Sequence, residues 1–144
     1  MATVLRIDVD GAVVVLSWPD DDAARREAVT GAVGRPADSA VYHRQAHFHV
    51  HGNGASGGLP MNLAAWALAS QWRGMEIPYG LYEPVLVTGP QLSVLGDGVA
   101  GEVRAVCAAV AEVRQEWVTR PPAGEGPARA EVLAAARHSV AALT

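Results

Sequence analysis

The feature that most constrains the fold of this chain is a run of apolar residues near its carboxyl end that recur every three or four positions. Successive members are 4, 3, 4, 3 and 4 residues apart, and the set consists of Val99, Val103, Val106, Val110, Val113 and Trp117. This period is that of one face of an α-helix, and Glu102, Glu112 and Glu116 fall off that face. A helix with such a continuous apolar side must bury it, either against its own chain or against a partner.

The part of the chain before this helix has strand patterns as well as helical ones. Apolar alternation over residues 3–9, the turn signal Asp10-Gly11 and the apolar run 12–16 predict a β-hairpin. Residues 39–43, 46–51 and 84–88 predict further strands. Helices are predicted over residues 23–33 and from Asn62, as N-cap, to about Trp72. We expect an α+β fold, with a small mixed or antiparallel sheet of about five strands, two helices in the core and a C-terminal helical pair.

A break at residues 120–124 separates the valine-lined helix from a last amphipathic helix. The apolar side of that helix carries Leu133, Ala136, Val140 and Leu143. We therefore expect an α+β core domain over residues 1–98 and a helical hairpin over residues 99–144, packed on the core or on a partner. In the second arrangement, the Val99–Trp117 helix would hold a homodimer or another protein.

Composition excludes several classes of function. All 11 basic residues are arginine, so Schiff-base chemistry on lysine is excluded. The formal net charge of −4 argues against duplex nucleic acid as a partner. No apolar run approaches the roughly 20 residues of a membrane-spanning helix, and the charges of Arg6, Asp8 and Asp10 argue against a signal peptide. Because the single cysteine, Cys107, suits a reducing compartment, we expect a cytoplasmic protein without membrane contact.

Four of the five histidines lie within the nine residues from His43 to His51. Because side chains alternate along a strand, His43, His47, His49 and His51 are predicted to share one face, opposite Ala46, Phe48 and Val50. One interpretation is a metal site at His47 and His49, with zinc as the cofactor and a further ligand from elsewhere. A second is an anion-facing or catalytic site, and a third is a polar stripe that only faces solvent.

The anion interpretation draws on the charges around the histidines. Between residues 39 and 75 there is no Asp or Glu, and the only formal charges are those of Arg44 and Arg73. We expect a groove between residues 47–51, the glycine-rich segment 52–58 and the start of the Asn62 helix. The candidate anion or ligand contacts are His43, Arg44, Asn53, Gly54, Asn62 and Arg73.

Three short motifs resemble catalytic or cofactor-binding sequences. His47-Phe48-His49-Val50-His51 resembles the motif of the histidine-triad nucleotide hydrolases, which implies that His49 would attack phosphorus. Residues 52–57 match G-x-G-x-x-G, but no helix opens inside the motif, as dinucleotide binding requires. Residues 7–11 resemble the nucleophile strand of haloacid-dehalogenase-type phosphatases, although Asp10-Gly11 also reads as a turn. No catalytic residue is assigned; if the protein is an enzyme, His47, His49 and His51 are the candidates.

The chain also resembles a family of uncharacterised small proteins from bacterial plasmids, integrative elements and phages. The matching pieces are the strand pair around Asp10-Gly11, the segment 58–62 with Ala64 and Ala65, and the segment 85–89. The resemblance covers residues 4–89 and implies a small α+β domain, without an activity or catalytic residues. The family often has an acidic turn where this chain has residues 51–54, so the histidines are not part of its pattern.

Two hypotheses follow from these patterns. The first is a non-catalytic binding or regulatory protein of a mobile genetic element, because no complete catalytic constellation is visible. The alternative is a phosphoester hydrolase or a metal-dependent enzyme that uses His47, His49 and His51.

Overall fold

The computed structural model describes residues 3–53 and 58–143, and these form an α+β fold with a C-terminal helical pair, as expected. The strands and helices follow in the order β1 (Val4–Ile7), β2 (Val13–Leu16), α1 (Asp22–Val33), β3 (Ala37–His43), β4 (Ala46–His51), α2 (Leu63–Arg73), β5 (Val85–Thr88), α3 (Asp97–Thr119) and α4 (Glu125–Ala141). A short 3-10 turn at Pro90–Leu92 follows β5.

The strands form one antiparallel sheet in the order β2-β1-β5-β4-β3. The β1–β2 hairpin closes at the predicted turn, where Gly11 has a φ of 93° and the Asp10 carboxylate accepts a bond from the Ala12 N–H at 2.9 Å. The central strand β5 is buried along its whole length. Its central position explains why residues 85–88 are apolar or uncharged on both faces.

The two faces of the sheet are covered by different helices. One face, with Leu5, Phe48 and Val87, packs against α2 and α3, and α4 joins this larger apolar cluster by packing on those two helices. The opposite face, with Val4 and Leu86, packs against α1 in a smaller cluster. The histidine-bearing strand β4 has neighbours on both faces, so the direction of each side chain decides which environment it meets.

Helix α2 begins and ends where the sequence predicts. Asn62 is the N-cap and accepts a hydrogen bond from the Ala65 N–H at 3.0 Å. Gly74 ends the helix in the left-handed conformation, with a φ of 75°. The Asn62 side chain also donates to Ile7 O and Glu83 O, at 2.9 and 3.1 Å, so this one residue ties the helix to β1 and to the segment before β5.

The valine-lined side of α3 packs within its own chain. Val103, Val106 and Val110 have no exposed surface and belong to the main cluster together with residues of α2 and α4. Any association with a partner through α3 would therefore have to use its other faces, and a homo-oligomer stays a prediction. α3 is the longest helix among the described residues. None of the helices in residues 3–53 and 58–143 is both long and apolar enough to span a bilayer.

Candidate functional site

The alternation of side chains along β4 is confirmed between residues 46 and 50. Ala46 and Phe48 are 1% exposed and lie in the main cluster, where the Phe48 ring is 5.7 Å from that of Trp72. His47, His49 and His51 point to the other face, which α1 covers.

The prediction that His43 shares this face is wrong. A two-residue turn, Arg44-Gln45, separates β3 from β4, and His43 pairs directly with Ala46. Residues that pair across neighbouring strands point to the same face, so His43 follows Ala46 toward α2. Its ring lies 5.0 Å from the Trp72 ring, and its Nδ1 accepts a bond from the Gln45 N–H at 3.0 Å. The turn interrupts the alternation that would have carried His43 to the other histidines.

His49 is buried, and its hydrogen bonds hold the neutral ring in one tautomer. Its Nε2 lies 2.9 Å from Thr88 Oγ1, and the Thr88 hydroxyl donates its proton to Gly89 O at 2.8 Å. Since Thr88 has no second proton, the imidazole must be the donor in the first bond, which places the proton on Nε2. Burial, and secondarily the neighbouring His47, lowers the pKa of His49 to about 4. The ring is therefore neutral near pH 7. Its Nε2 is buried and bonded to Thr88, so it is not accessible to attack a substrate.

His51 packs against the end of α1. Its Nδ1 accepts a bond from the Asn53 N–H at 3.1 Å, and a Cβ on Gly34 would lie 3.0 Å from its Cδ2. Across residues 3–53 and 58–143, no three His, Cys, Asp or Glu side chains are grouped so that they could hold a metal ion. The predicted zinc site at His47 and His49 therefore lacks a third protein ligand among the described residues, and the donor set does not fit a catalytic zinc site.

The predicted anion-binding residues do not meet in one place. Arg44 is exposed in the turn, and Arg73 donates to Val41 O at 3.3 Å near that same end of the sheet. Asn62 is at the other end of α2, ~16 Å along the helix, where it is fully buried and its amide is used in three bonds. Asn53 follows the far end of β4, and Gly54 lies outside the described residues.

The predicted groove between the histidines and the start of α2 is also wrong. The sheet itself separates them, because α2 packs on the Phe48 face and the β4 histidines point to the α1 face. The amphipathic pattern shows which side of β4 is apolar. It does not show which helix covers that side.

The carboxylates of the β1–β2 hairpin have structural contacts. Asp8 forms an ion pair with Arg6, with Nε and Oδ1 2.6 Å apart, and this bond raises the pKa of Arg6. Asp10 is used by the turn itself. Cys107 is 1% exposed, and burial raises the pKa of its thiol to about 12, so it is not an activated nucleophile.

A groove on the opposite side of the molecule was not predicted. It lies between α2, the segment of residues 76–82 and the C-terminal helical pair, and it has a volume of about 550 Å³. We call it the aromatic groove, because four of its lining residues are Trp66, Tyr79, Tyr82 and Trp117. Met61, Leu63, Ile77 and Pro78 add apolar surface to its walls.

The wall formed by residues 76–82 is fixed to the start of α2. Asn62 N–H donates to Leu81 O at 2.7 Å, and Glu83 N–H donates to Pro60 O at 2.9 Å. Tyr79 is half exposed, and its hydroxyl lies 2.8 Å from that of Tyr42. These contacts hold the segment 76–82 against the start of α2 and against β3.

The polar atoms around the aromatic groove are largely engaged with one another. The indole N–H of Trp66 donates to Ile77 O at 3.2 Å, and that of Trp117 donates to Glu131 at 3.3 Å. Arg129 lies 3.5 Å from a Glu76 oxygen and 3.9 Å from a Glu125 oxygen. The groove therefore offers mainly aromatic and aliphatic surface, with two carboxylates and one guanidinium at its edge.

Sequence reasoning missed this groove because its walls come from distant parts of the chain. The segment 77–82 has no periodicity that assigns it to a helix or strand, and Trp66 and Trp117 read as core residues. The available signal was the concentration of Tyr79, Tyr82 and Pro78 in a segment without regular structure.

Comparisons of the chain with protein-family models, with curated protein sequences and with solved structures found no significant match.

Proposed function

We propose that the protein is a non-catalytic binding protein whose ligand occupies the aromatic groove. The observation that carries this proposal is the groove itself, whose volume of about 550 Å³ falls within the roughly 300–1,000 Å³ of small-molecule sites. Such sites are lined mostly by apolar and aromatic side chains with a few polar groups, which is the composition found here.

The lining of the groove supports binding and not catalysis. The described residues that line it include no Ser, Cys or His, and the groups that could act as a general acid or base are two glutamates and two tyrosines. Its charged groups, Glu76, Glu125 and Arg129, are directed at one another. A ligand would be held there by surface complementarity.

The alternative, a phosphoester hydrolase or metal-dependent enzyme built on β4, has less support. His49 is buried and its Nε2 is bonded to Thr88, while His51 packs against Gly34. An enzyme of this kind would need these rings to reach a substrate together. The association with a mobile genetic element is what the resemblance of residues 4–89 implies, and it stays a prediction.

The four tryptophans allow a direct test. Their indole N–H signals in an NMR spectrum report on different places, because Trp66 and Trp117 line the groove and Trp18 and Trp72 do not. In a screen of small organic fragments, we expect the compounds that bind to shift the Trp66 and Trp117 signals and to leave the Trp18 signal unchanged. No binder at this site, or binders that shift only signals from β4 and α1, would contradict the proposal.

A second assay addresses the enzyme alternative. We expect untagged protein to contain no stoichiometric zinc and to hydrolyse model phosphoesters no faster than a His49→Gln variant does. Activity that is lost in this variant, while the fold is retained, would favour the alternative.

A further inference from the structure

Resting on the proposed function, we propose that the aromatic groove binds a small organic cation with a quaternary ammonium group. The structure combines three features that favour this class of ligand: aromatic ring surfaces, indole N–H groups that are already bonded, and an excess of negative charge at the rim.

The aromatic rings supply the attraction. Four aromatic residues from three separate segments of the chain line the groove. Tyr79 is half exposed and Tyr82 and Trp117 are partly exposed, so these three supply most of the accessible ring surface, whereas Trp66 is 2% exposed. The face of an aromatic ring carries the negative end of its quadrupole, so a cation placed over it is attracted. The attraction is stronger for tryptophan than for tyrosine or phenylalanine. A group of such rings around one space is the arrangement that recognises alkylated ammonium ions.

The hydrogen bonds of the rings select against ordinary polar ligands. Both tryptophan N–H groups are already bonded, one to Ile77 O and the other to Glu131. A ligand that needs these donors would leave its own acceptors unpaired when it loses its water, which costs free energy. A quaternary ammonium group has no N–H donor and no acceptor, so it can be placed against the rings with no bond left unmade.

The charges at the rim set the sign of the ligand. Two carboxylates, Glu76 and Glu125, share the single guanidinium of Arg129, at 3.5 and 3.9 Å. One negative charge is therefore left over at the rim. The neighbouring charges do not change this balance. Glu131 and Glu116 share Arg120, at 2.6 and 3.3 Å, and Arg137 lines a smaller cavity beside Glu76, so two carboxylates are matched by two guanidinium groups. A cationic ligand completes the charge balance, whereas an anionic ligand would meet two carboxylates and the negative faces of the rings.

The test compares choline with its neutral carbon isostere, in which a tert-butyl group replaces the trimethylammonium group. The two molecules have the same shape, so any difference in affinity reports the charge. We expect choline to bind at least tenfold more tightly in a titration followed by the Trp117 indole signal, a ratio that corresponds to about 1.4 kcal/mol.

Variants of the groove separate the ring contribution from the charge contribution. Trp117→Leu keeps an apolar side chain but removes the ring, so it should reduce choline affinity several-fold more than it reduces the affinity for the isostere. Binding to this variant is followed by the Trp66 indole signal, because Trp66 is the other tryptophan that lines the groove. Glu76→Gln should weaken choline binding several-fold, while Glu112→Gln, at an exposed position of α3 outside the groove, should leave it unchanged.

The outcomes distinguish this inference from the proposed function. Equal affinities for the two molecules, or no choline binding while neutral fragments occupy the groove, would contradict the proposal of a cationic ligand. Either result would leave the proposed binding function in place. If no compound shifts the Trp66 or Trp117 signals, both proposals are overturned. Binding of a trimethyl-lysine peptide at least tenfold more tightly than choline would overturn the assignment to a free small molecule.

Discussion

His49 Nε2 and Thr88 Oγ1 lie 2.9 Å apart on neighbouring strands, and both residues are buried on the α1 face of the sheet. The hydroxyl passes its own proton to Gly89 O at 2.8 Å, so the three groups form a chain in which each donor has one acceptor. This contact uses the most buried histidine of β4 to fix the pairing of β4 with β5.

Removing the hydroxyl of Thr88 should destabilise the fold. Thr88→Val keeps the shape of the side chain but leaves the His49 N–H without its acceptor, and a buried donor of this kind costs about 1–3 kcal/mol. Thr88→Ser keeps the hydroxyl and serves as the matched control, with a smaller loss from the missing methyl group. Urea unfolding of the three proteins measures these differences, and a Thr88→Val variant as stable as the native protein would show that the bond contributes nothing.

Acidification should weaken the fold through His49. Its pKa in the folded protein is about 4, below the ~6.5 of an unfolded chain, so the unfolded state takes up the proton first as the pH falls. The stabilisation is therefore complete above pH ~6.5 and is lost progressively down to pH ~4, by on the order of 3 kcal/mol.

The variant His49→Gln isolates this effect, because glutamine keeps an N–H donor but does not titrate in this range. We expect the free energy of unfolding of the native protein to fall more steeply between pH 7 and pH 4.5 than that of the variant. Parallel slopes would mean that His49 does not cause the acid sensitivity.

The N-cap residues Asn62 and Asp21 should contribute differently to the stability of the fold. Asn62 is fully buried and makes three bonds, to Ile7 O, Glu83 O and the Ala65 N–H, whereas Asp21 caps α1 at an exposed position through one bond to the Ala24 N–H. We expect Asn62→Ala to cost about 3 kcal/mol or more and Asp21→Ala about 1 kcal/mol. Thermal and chemical unfolding of both variants provides the comparison, and equal losses would show that the two extra bonds of Asn62 are not significant.

Two glycine-to-alanine substitutions should have opposite effects. A Cβ on Gly89 would lie 2.5 Å from Val94 O and closer still to Ser93 Oγ, so the backbone of the loop after β5 would have to move. Gly101 is inside α3 with nothing within 4 Å of an added Cβ, and alanine there should stabilise the helix by up to ~1 kcal/mol. We expect Gly89→Ala to lower the midpoint of thermal unfolding and Gly101→Ala to raise it. A neutral Gly89→Ala would mean that the loop adapts without cost.

The sequence predicted the elements of this fold well because their signals are local. The alternation around Phe48, the N-cap Asn62 and the apolar spacing from Val99 to Trp117 each lie within one short segment. Alternation of side chains predicts the face of His49 correctly and the face of His43 wrongly. Alternation holds within a strand, and the turn at residues 44–45 begins a new one.

Long-range placement could not be predicted from these signals. The central strand β5 is buried on both faces, so its sequence does not indicate that α1 covers one face and α2 the other. The aromatic groove depends on the approach of Trp117 to residues 76–82, which are far from it in the chain. Patterns of residue type within a short segment do not show which distant segments come together in the fold.

The groove joins the two parts into which the sequence divides the chain. Trp66 comes from α2 and Tyr82 from the segment before β5, whereas Trp117 and Arg129 come from the helical pair that follows them in the chain. Deleting the helical pair would leave half of a cleft facing water and no enclosed space. A chain without this hairpin would therefore keep the sheet and lose the cleft, so the shape of the groove depends on both parts of the chain together.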